Sequence, residues 1–254
     1  MLSCVAAGLT NTGQVRQQNE DRYFVDESLG VFIVADGMGG HAAGEIAAQI
    51  MVKVLPNLIH KRLRPYHDIA APAAKQIILK LLQEFSNRLR DESARRIHLM
   101  GMGSTVMVLV IRNTRALFAY LGDSRIYLLR AGKLKLLSHD HSLVQLLLDA
   151  HEITPKEAAN HAARGQITRY MGMPGQPLPD ALAFNLLEYD RLLLCSDGLS
   201  DMVDCRQLKT ILTEPLPPQP TCQRLIDAAN LAGGRDNITA VVVDVLCPDH
   251  AIAE

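Results

Sequence analysis

The sequence predicts an α+β fold, with two packed antiparallel sheets and helices outside them. Three observations carry this. Short apolar runs recur without clean polar alternation, several are joined by very short links, and amphipathic helical stretches lie apart from them. The runs are Val31–Ala35, Thr105–Ile111, Ala116–Leu121, Ile126–Leu129, Arg191–Ser196 and Ile238–Val245, and Glu20-Asp21 precedes one more. Strands this apolar need cover on both faces. The links 112–115, 122–125 and 130–133 are too short for a parallel crossover, which takes a dozen residues or more. The middle of the chain therefore reads as an antiparallel meander, with Asp123-Ser124 as a tight hairpin. One helix is expected from Ile46, Ile50 and Val54 with Ala47, Met51 and Leu55, ended by Pro56. A second carries the stripe Ile77, Ile78, Leu81, Leu82, Phe85 and Leu89, and a third covers 221–231, stopping at Gly233-Gly234. Glu214–Pro220 reads as a stiff loop. Ser138–Leu182 interrupts the pattern with two short helical stretches (141–149 and 155–162) and a Gly- and Pro-rich exit at 171–179. We take residues 1–254 as one domain carrying that insertion.

Composition removes several classes. The 254 residues are 48% hydrophobic and 21% charged, ordinary globular values, and enough for a core without staples. A net charge of −1 offers no basic surface for nucleic acid or membrane, and the absence of Trp weakens base stacking further. The 5 cysteines form no CxxC pair, which suits a reducing compartment. No signal peptide or spanning apolar run is evident. A cytoplasmic monomer is expected.

The acids mark the chemistry. Asp36, Asp123, Asp197 and Asp236 each stand at the mouth of a buried strand beside Gly or another small residue, and Glu20 and Asp21 precede another strand. Asp-Gly alone is a common turn dipeptide, but recurrence at strand mouths is not explained by turns. Clustered carboxylates repel unless a cation neutralises them or their pKa values rise. An all-oxygen set without His or Cys at ligand spacing selects Mg²⁺ or Mn²⁺, and this many carboxylates exceed the needs of a single Mg²⁺.

Read in order, these segments resemble the metal-dependent protein phosphatases of the type 2C, or PPM, family. The resemblance rests on Arg16-Gln-Gln-Asn-Glu-Asp-Arg22, Asp36-Gly-Met-Gly-Gly-His-Ala-Ala-Gly-Glu45 (close to the bacterial form), Gly103-Ser-Thr105 and Gly122-Asp-Ser-Arg125. Asp140-His-Ser142, Ile167-Thr-Arg169, Gly172, Ser196-Asp-Gly198 and Gly234-Arg-Asp-Asn-Ile-Thr239 complete it. It covers nearly the whole chain.

The resemblance implies a β-sandwich flanked by helices on both sides (αββα) with a binuclear Mn²⁺/Mg²⁺ centre at one end, and a flap at about 138–182. Asp36 should bridge both ions, the Gly37 carbonyl should bind one, and Glu20, Asp197 and Asp236 should complete the pair. Asp21 should mostly hold a metal-bound water. Asp123 with Asp197 matches a third-ion site, and Arg16 the phosphate-binding arginine. The implied reaction is hydrolysis of phosphoserine and phosphothreonine on proteins. A metal-bridging hydroxide attacks phosphorus directly, without a covalent intermediate. The enzyme would oppose a bacterial-type Ser/Thr kinase. One departure stands out: Met38 follows Asp36-Gly37 where many eukaryotic relatives carry His. His41 is the candidate substitute acid, or it packs at a helix start; His139, His141 and His161 read as structural or solvated. The alternatives are a catalytically inactive binding module on this fold and a two-metal nuclease, the latter disfavoured by charge.

Overall fold

The computed structural model describes residues 2–39 and 43–247. Its apolar runs pair into two antiparallel sheets. The first has the order β1 (Ser3–Asn11), β11 (Ile238–Leu246), β10 (Arg191–Cys195), β7 (Arg125–Arg130), β8 (Lys133–Leu136). The second runs β2 (Asp21–Asp26), β3 (Val31–Met38), β5 (Val106–Arg112), β6 (Arg115–Leu121), β9 (Asp180–Asn185). A two-residue strand, β4 (Gly103–Ser104), pairs with the end of β3.

Side chains alternate across a strand, so a strand apolar at every position feeds two cores. In β3, Phe32 and Val34 face the other sheet and pack with Phe118, Leu128, Leu192, Leu194 and Val241. Ile33 and Ala35 face outward, onto α1 (Ala43–Leu63) and α2 (Pro72–Arg95). The outer face of the first sheet, with Leu193 and Val242, is covered by α5 (Asp197–Ser200), α6 (Cys205–Thr213) and α7 (Pro218–Leu231). The result is the four-layered arrangement expected: helices, sheet, sheet, helices.

Three expectations change. First, the link 122–125 is not a hairpin within one sheet: β6 lies in the second sheet and β7 in the first. The chain crosses between layers there, through Gly122 at φ +116, where a Cβ would collide with Thr105. Second, Pro56 does not end α1. The helix continues to Leu63 and buries Pro56 and Ile59, because an apolar face on the sheet offsets the lost hydrogen bond. Its buried side is Ala47, Ala48, Met51, Val52 and Leu55, while Val54 is exposed. Third, β1, β9 and α6 had no assignment. The last residues of the expected insertion, 180–182, belong to β9. Within the insertion the helices are shorter than expected, α3 (Leu143–Asp149) and α4 (Pro155–Ala158). Pro218, placed in a loop, opens α7.

Candidate active site

The strand directions bring the acids to one end of the sandwich. Asp36 lies near the end of β3 and faces Asp21, the first residue of β2, across the ladder. Asp197 follows β10, Asp236 precedes β11, and Asp123 sits in the crossing from β6 to β7. Arg16, Glu20, Asp36, Gly37, Met38, Asp197 and Asp236 line an open cleft of about 610 Å³. Asp21 lies behind it, fully buried. Asp123 opens instead into an adjoining cleft of about 380 Å³, which shares Asp197 with the first. His41 lies outside the described residues.

Asp36, Asp21 and Glu20 are held by their backbone or by a hydroxyl. Thr105 Oγ1 accepts from the Asp36 amide at 3.0 Å, and the Thr105 amide donates back to the Asp36 carbonyl at 2.8 Å. Ser196 and Thr239 donate their hydroxyls to Asp21 Oδ2, each at 2.7 Å. Asn237 accepts from the Glu20 amide at 2.8 Å. Gly37 admits no side chain, because a Cβ would meet the Gly44 and Glu20 carbonyls. Arg16 reaches Asp236 Oδ2 at 2.8 Å from an exposed position.

Oδ1 of Asp21, Asp123 and Asp197 is buried without a hydrogen-bond partner, a state normally costly enough to be rare. Burial raises the Asp21 carboxyl to about 6, against the pull of the Ser196 and Thr239 hydroxyls. Burial, and then the Asp140 charge, raises Asp123 to about 7. Asp36 and Asp197 are held well above the usual carboxylate range, by burial first and then by their acidic neighbours. Glu20 is raised too, again mainly by burial. The Arg125 charge, next but one to Asp123, offsets this only in part, because its guanidinium forks Asp140 at 2.6–3.0 Å. Orphaned oxygens on an all-carboxylate set fit hard divalent ions. Among the described residues no three such side chains converge on one point; Mg²⁺ is usually held by one or two carboxylates and several waters.

The site therefore gathers Arg16, Glu20, Asp36, Gly37, Asp197 and Asp236, with Asp21 behind and Asp123 beside. The supporting residues Thr105, Ser196, Asn237 and Thr239 had no foreseen role. Their signal was a hydroxyl or amide within or next to each acidic motif, the chemistry that orients a carboxylate. The insertion covers this end through Gly165, Ile167 and Tyr170, which line the main cleft. It is tied to the frame by the Ser104–Met171 bridge and by Arg164 on Asp201 at 2.8 Å.

A family model described as Protein phosphatase 2C matches residues 11–229. The serine/threonine phosphatase stp of Listeria monocytogenes is 34% identical over 238 residues, covering 92% of this chain and 93% of that protein. The protein phosphatase PhpP of Streptococcus pneumoniae is 36% identical over 241 residues, covering 93% and 96%. Among solved structures, the catalytic domain of the phosphatase PstP, in complex with two manganese ions, superposes with a TM-score of 0.84 at 32% identity, covering 97% of this chain and 100% of that one. PppA of Pseudomonas aeruginosa gives 0.81 at 32% identity, with the same coverage. A match of this extent, on a fold and an acid cluster reached independently, places the chain in the protein phosphatase 2C family.

Proposed function

We propose that the cleft is the catalytic centre of a protein serine/threonine phosphatase, holding two Mn²⁺ or Mg²⁺ ions. The observation that carries it is the set of buried aspartate oxygens without partners: on Asp197 in the cleft that bears Arg16, on Asp21 behind it and on Asp123 in the adjoining cleft. Membership of the family makes the chain a metal-dependent phosphoprotein phosphatase, and the relatives named as serine/threonine phosphatases support the substrate class.

In this reading Asp36 and the Gly37 carbonyl, with Glu20, Asp197 and Asp236, hold the two ions. Asp123 and Asp197 would hold a third. When bound, the ions supply an activated water as nucleophile and neutralise charge on the phosphoryl oxygens. Asp21, fixed by Ser196 and Thr239, orients the layer behind them. Arg16 is exposed enough to leave Asp236 once that acid has another cation, and its planar fork then grips two phosphoryl oxygens. No cysteine lines the cleft, and the chain has no Cys-x5-Arg loop, so nothing in it suggests a phosphocysteine intermediate. The segment 138–182 acts as a flap that selects substrates from the rim.

The partners are phosphoproteins and, by the logic of the reaction, a Ser/Thr kinase that makes them. No helix among the described residues is long and apolar enough to cross a membrane. The test is a phosphothreonine peptide and single-stranded DNA, each with Mn²⁺, alongside thermal melting. Mn²⁺ should confer peptide turnover and raise the melting temperature, and EDTA should abolish both. Metal-independent turnover, or cleavage of DNA alone, would overturn the proposal.

A further inference from the structure

A third cleft, of about 430 Å³, opens beside the main one and shares Gly165, Asp197 and Asp236 with it. Its wall carries Arg164, His161 and Arg235. Arg164 is already engaged, donating to Asp201 at 2.8 Å and to the Ala159 carbonyl. Arg235 is different. It is exposed, and among the described residues it has no hydrogen-bond or ion-pair partner.

The backbone under Arg235 is nonetheless fixed. The Gly234 carbonyl accepts from the amides of Gln14 at 2.7 Å and Val15 at 3.3 Å, and the Gly234 amide donates to Ala229 at 3.0 Å. Gly234 has φ +49, and a Cβ there would strike Asn230 and Gln14. On the other side, Asp236 Oδ1 accepts from the Asn237 amide at 2.8 Å. A cation is thus anchored one residue from an acid of the catalytic centre, in a cleft continuous with it. The acids of this cleft do not balance it. Asp201 is neutralised by Arg164, Asp236 is paired with Arg16, and Asp197 would be a ligand of the proposed ions.

We propose that Arg235 is a specificity residue that binds a second anion on the substrate, a carboxylate or phosphate close in sequence to the phosphoresidue being hydrolysed. This rests on the catalytic-centre reading above. A guanidinium fork suits either anion. An extended peptide advances about 3.3 Å per residue, so a side chain within a few residues of the phosphoresidue spans from one cleft to the other.

The experiment uses the full chain with Mn²⁺ and three phosphothreonine peptides, identical except that the flanking positions carry alanine, glutamate or phosphoserine. Wild type, Arg235→Gln and Arg235→Glu are compared by the ratio of kcat/KM on each acidic peptide to that on the alanine peptide. Because both values come from one preparation, misfolding or a general loss beside Asp236 cancels. Wild type should favour at least one acidic peptide about tenfold, less so at high salt. Arg235→Gln should bring the ratio near one, and Arg235→Glu below it. A gain with phosphoserine alone assigns a phosphate subsite, and a gain with both assigns any anion. A ratio unchanged by either substitution overturns the inference while leaving the phosphatase intact. No Mn²⁺-dependent turnover of any peptide by wild type overturns the underlying reading instead.

Discussion

The two ends of the sandwich bury carboxylates in opposite ways. At the end away from the cleft, Arg130 forks Asp190 at 2.8 and 2.6 Å, and Asp190 is 1% exposed. Arg191 forks Asp244 at 2.6 and 2.7 Å and caps the carbonyls of Leu212, Glu214 and Leu216. There the chain brings its own cations, each acid is satisfied, and the site is closed. At the cleft end Asp21, Asp123 and Asp197 keep orphaned oxygens. Arg16 meets Asp236, but the other nearby arginines look elsewhere: Arg125 to Asp140, Arg22 to Glu45, Arg164 to Asp201. Identical strands, β7, β10 and β11, carry both kinds of end. Leaving acids unpaired is therefore a property of position in the fold, and the proposed ion site rests on it.

Substituting one acid at each end tests this most severely. Asp36→Asn should lower kcat by at least about 10²-fold, the scale for losing one essential electrostatic group. It should also raise the melting temperature in EDTA, because a buried repelling charge has gone. Asp190→Asn should do the reverse: near-normal turnover, with roughly 2 kcal/mol lost as Arg130 is left unpaired. For a chain this long that is about 4–8 °C. Melting curves with and without Mn²⁺ check both, and an Asp36→Asn protein that melts lower in EDTA would break the comparison. Asp123→Ala should have a smaller effect. Turnover should fall on the order of tenfold, the scale of losing one supporting ligand. Two ions should remain by Mn²⁺ titration, since only the adjoining cleft loses a carboxylate. Three ions at undiminished occupancy would remove Asp123 from the ion-binding set.

The acid groups also fix a pH dependence whose sign differs with metal. Asp21 at about 6 and Asp123 at about 7 are raised above their unfolded values, so the folded protein binds more protons than the unfolded chain between about pH 4 and 7. In EDTA, stability should therefore be greatest at the acid side of that window and fall as pH rises through it. With Mn²⁺ the ionised carboxylates are the ligands, so the metal-induced rise in melting temperature should grow over the same range. A metal-induced shift independent of pH would contradict the raised values.

Much of this was legible in the residues. Val31–Ala35 followed by Asp36-Gly37 gave a buried strand and its acid together, and β10 with Asp197 did the same. The strands that escaped notice are peripheral. In β1, Ser3–Asn11 contains small and polar residues and packs from the edge. In β9, Asp180–Asn185 emerges from a Gly- and Pro-rich stretch and is also an edge. Such strands owe their pairing to the sheet rather than to their own pattern. The sheet change at Gly122–Arg125 escaped for another reason. A short link reveals that two strands are close, but whether they share a sheet depends on the backbone turn, here φ +116 at Gly122. That detail decides where Asp123 points. Pro56 stays inside α1 because burial of the helix face outweighs the tendency of proline to end a helix.

The smallest expected effect concerns Met38, which lines the cleft next to Gly37 at the point where β3 pairs with Gly103. Its thioether cannot donate a proton. A serine alkoxide leaves more readily when protonated, and a positioned acid typically contributes about 10²–10⁴-fold. p-Nitrophenolate needs little such help. Should Met38 mark a missing acid, Met38→His would raise phosphoserine turnover by that factor and leave p-nitrophenyl phosphate unchanged. The expected outcome is a gain of only about two- to threefold on phosphoserine, because a protein that leaves its acids to be completed by ions can draw the leaving-group proton from solvent held at the same centre. A gain of 10²-fold confined to phosphoserine would show instead that proton delivery is limiting, and that this rim position sets the rate.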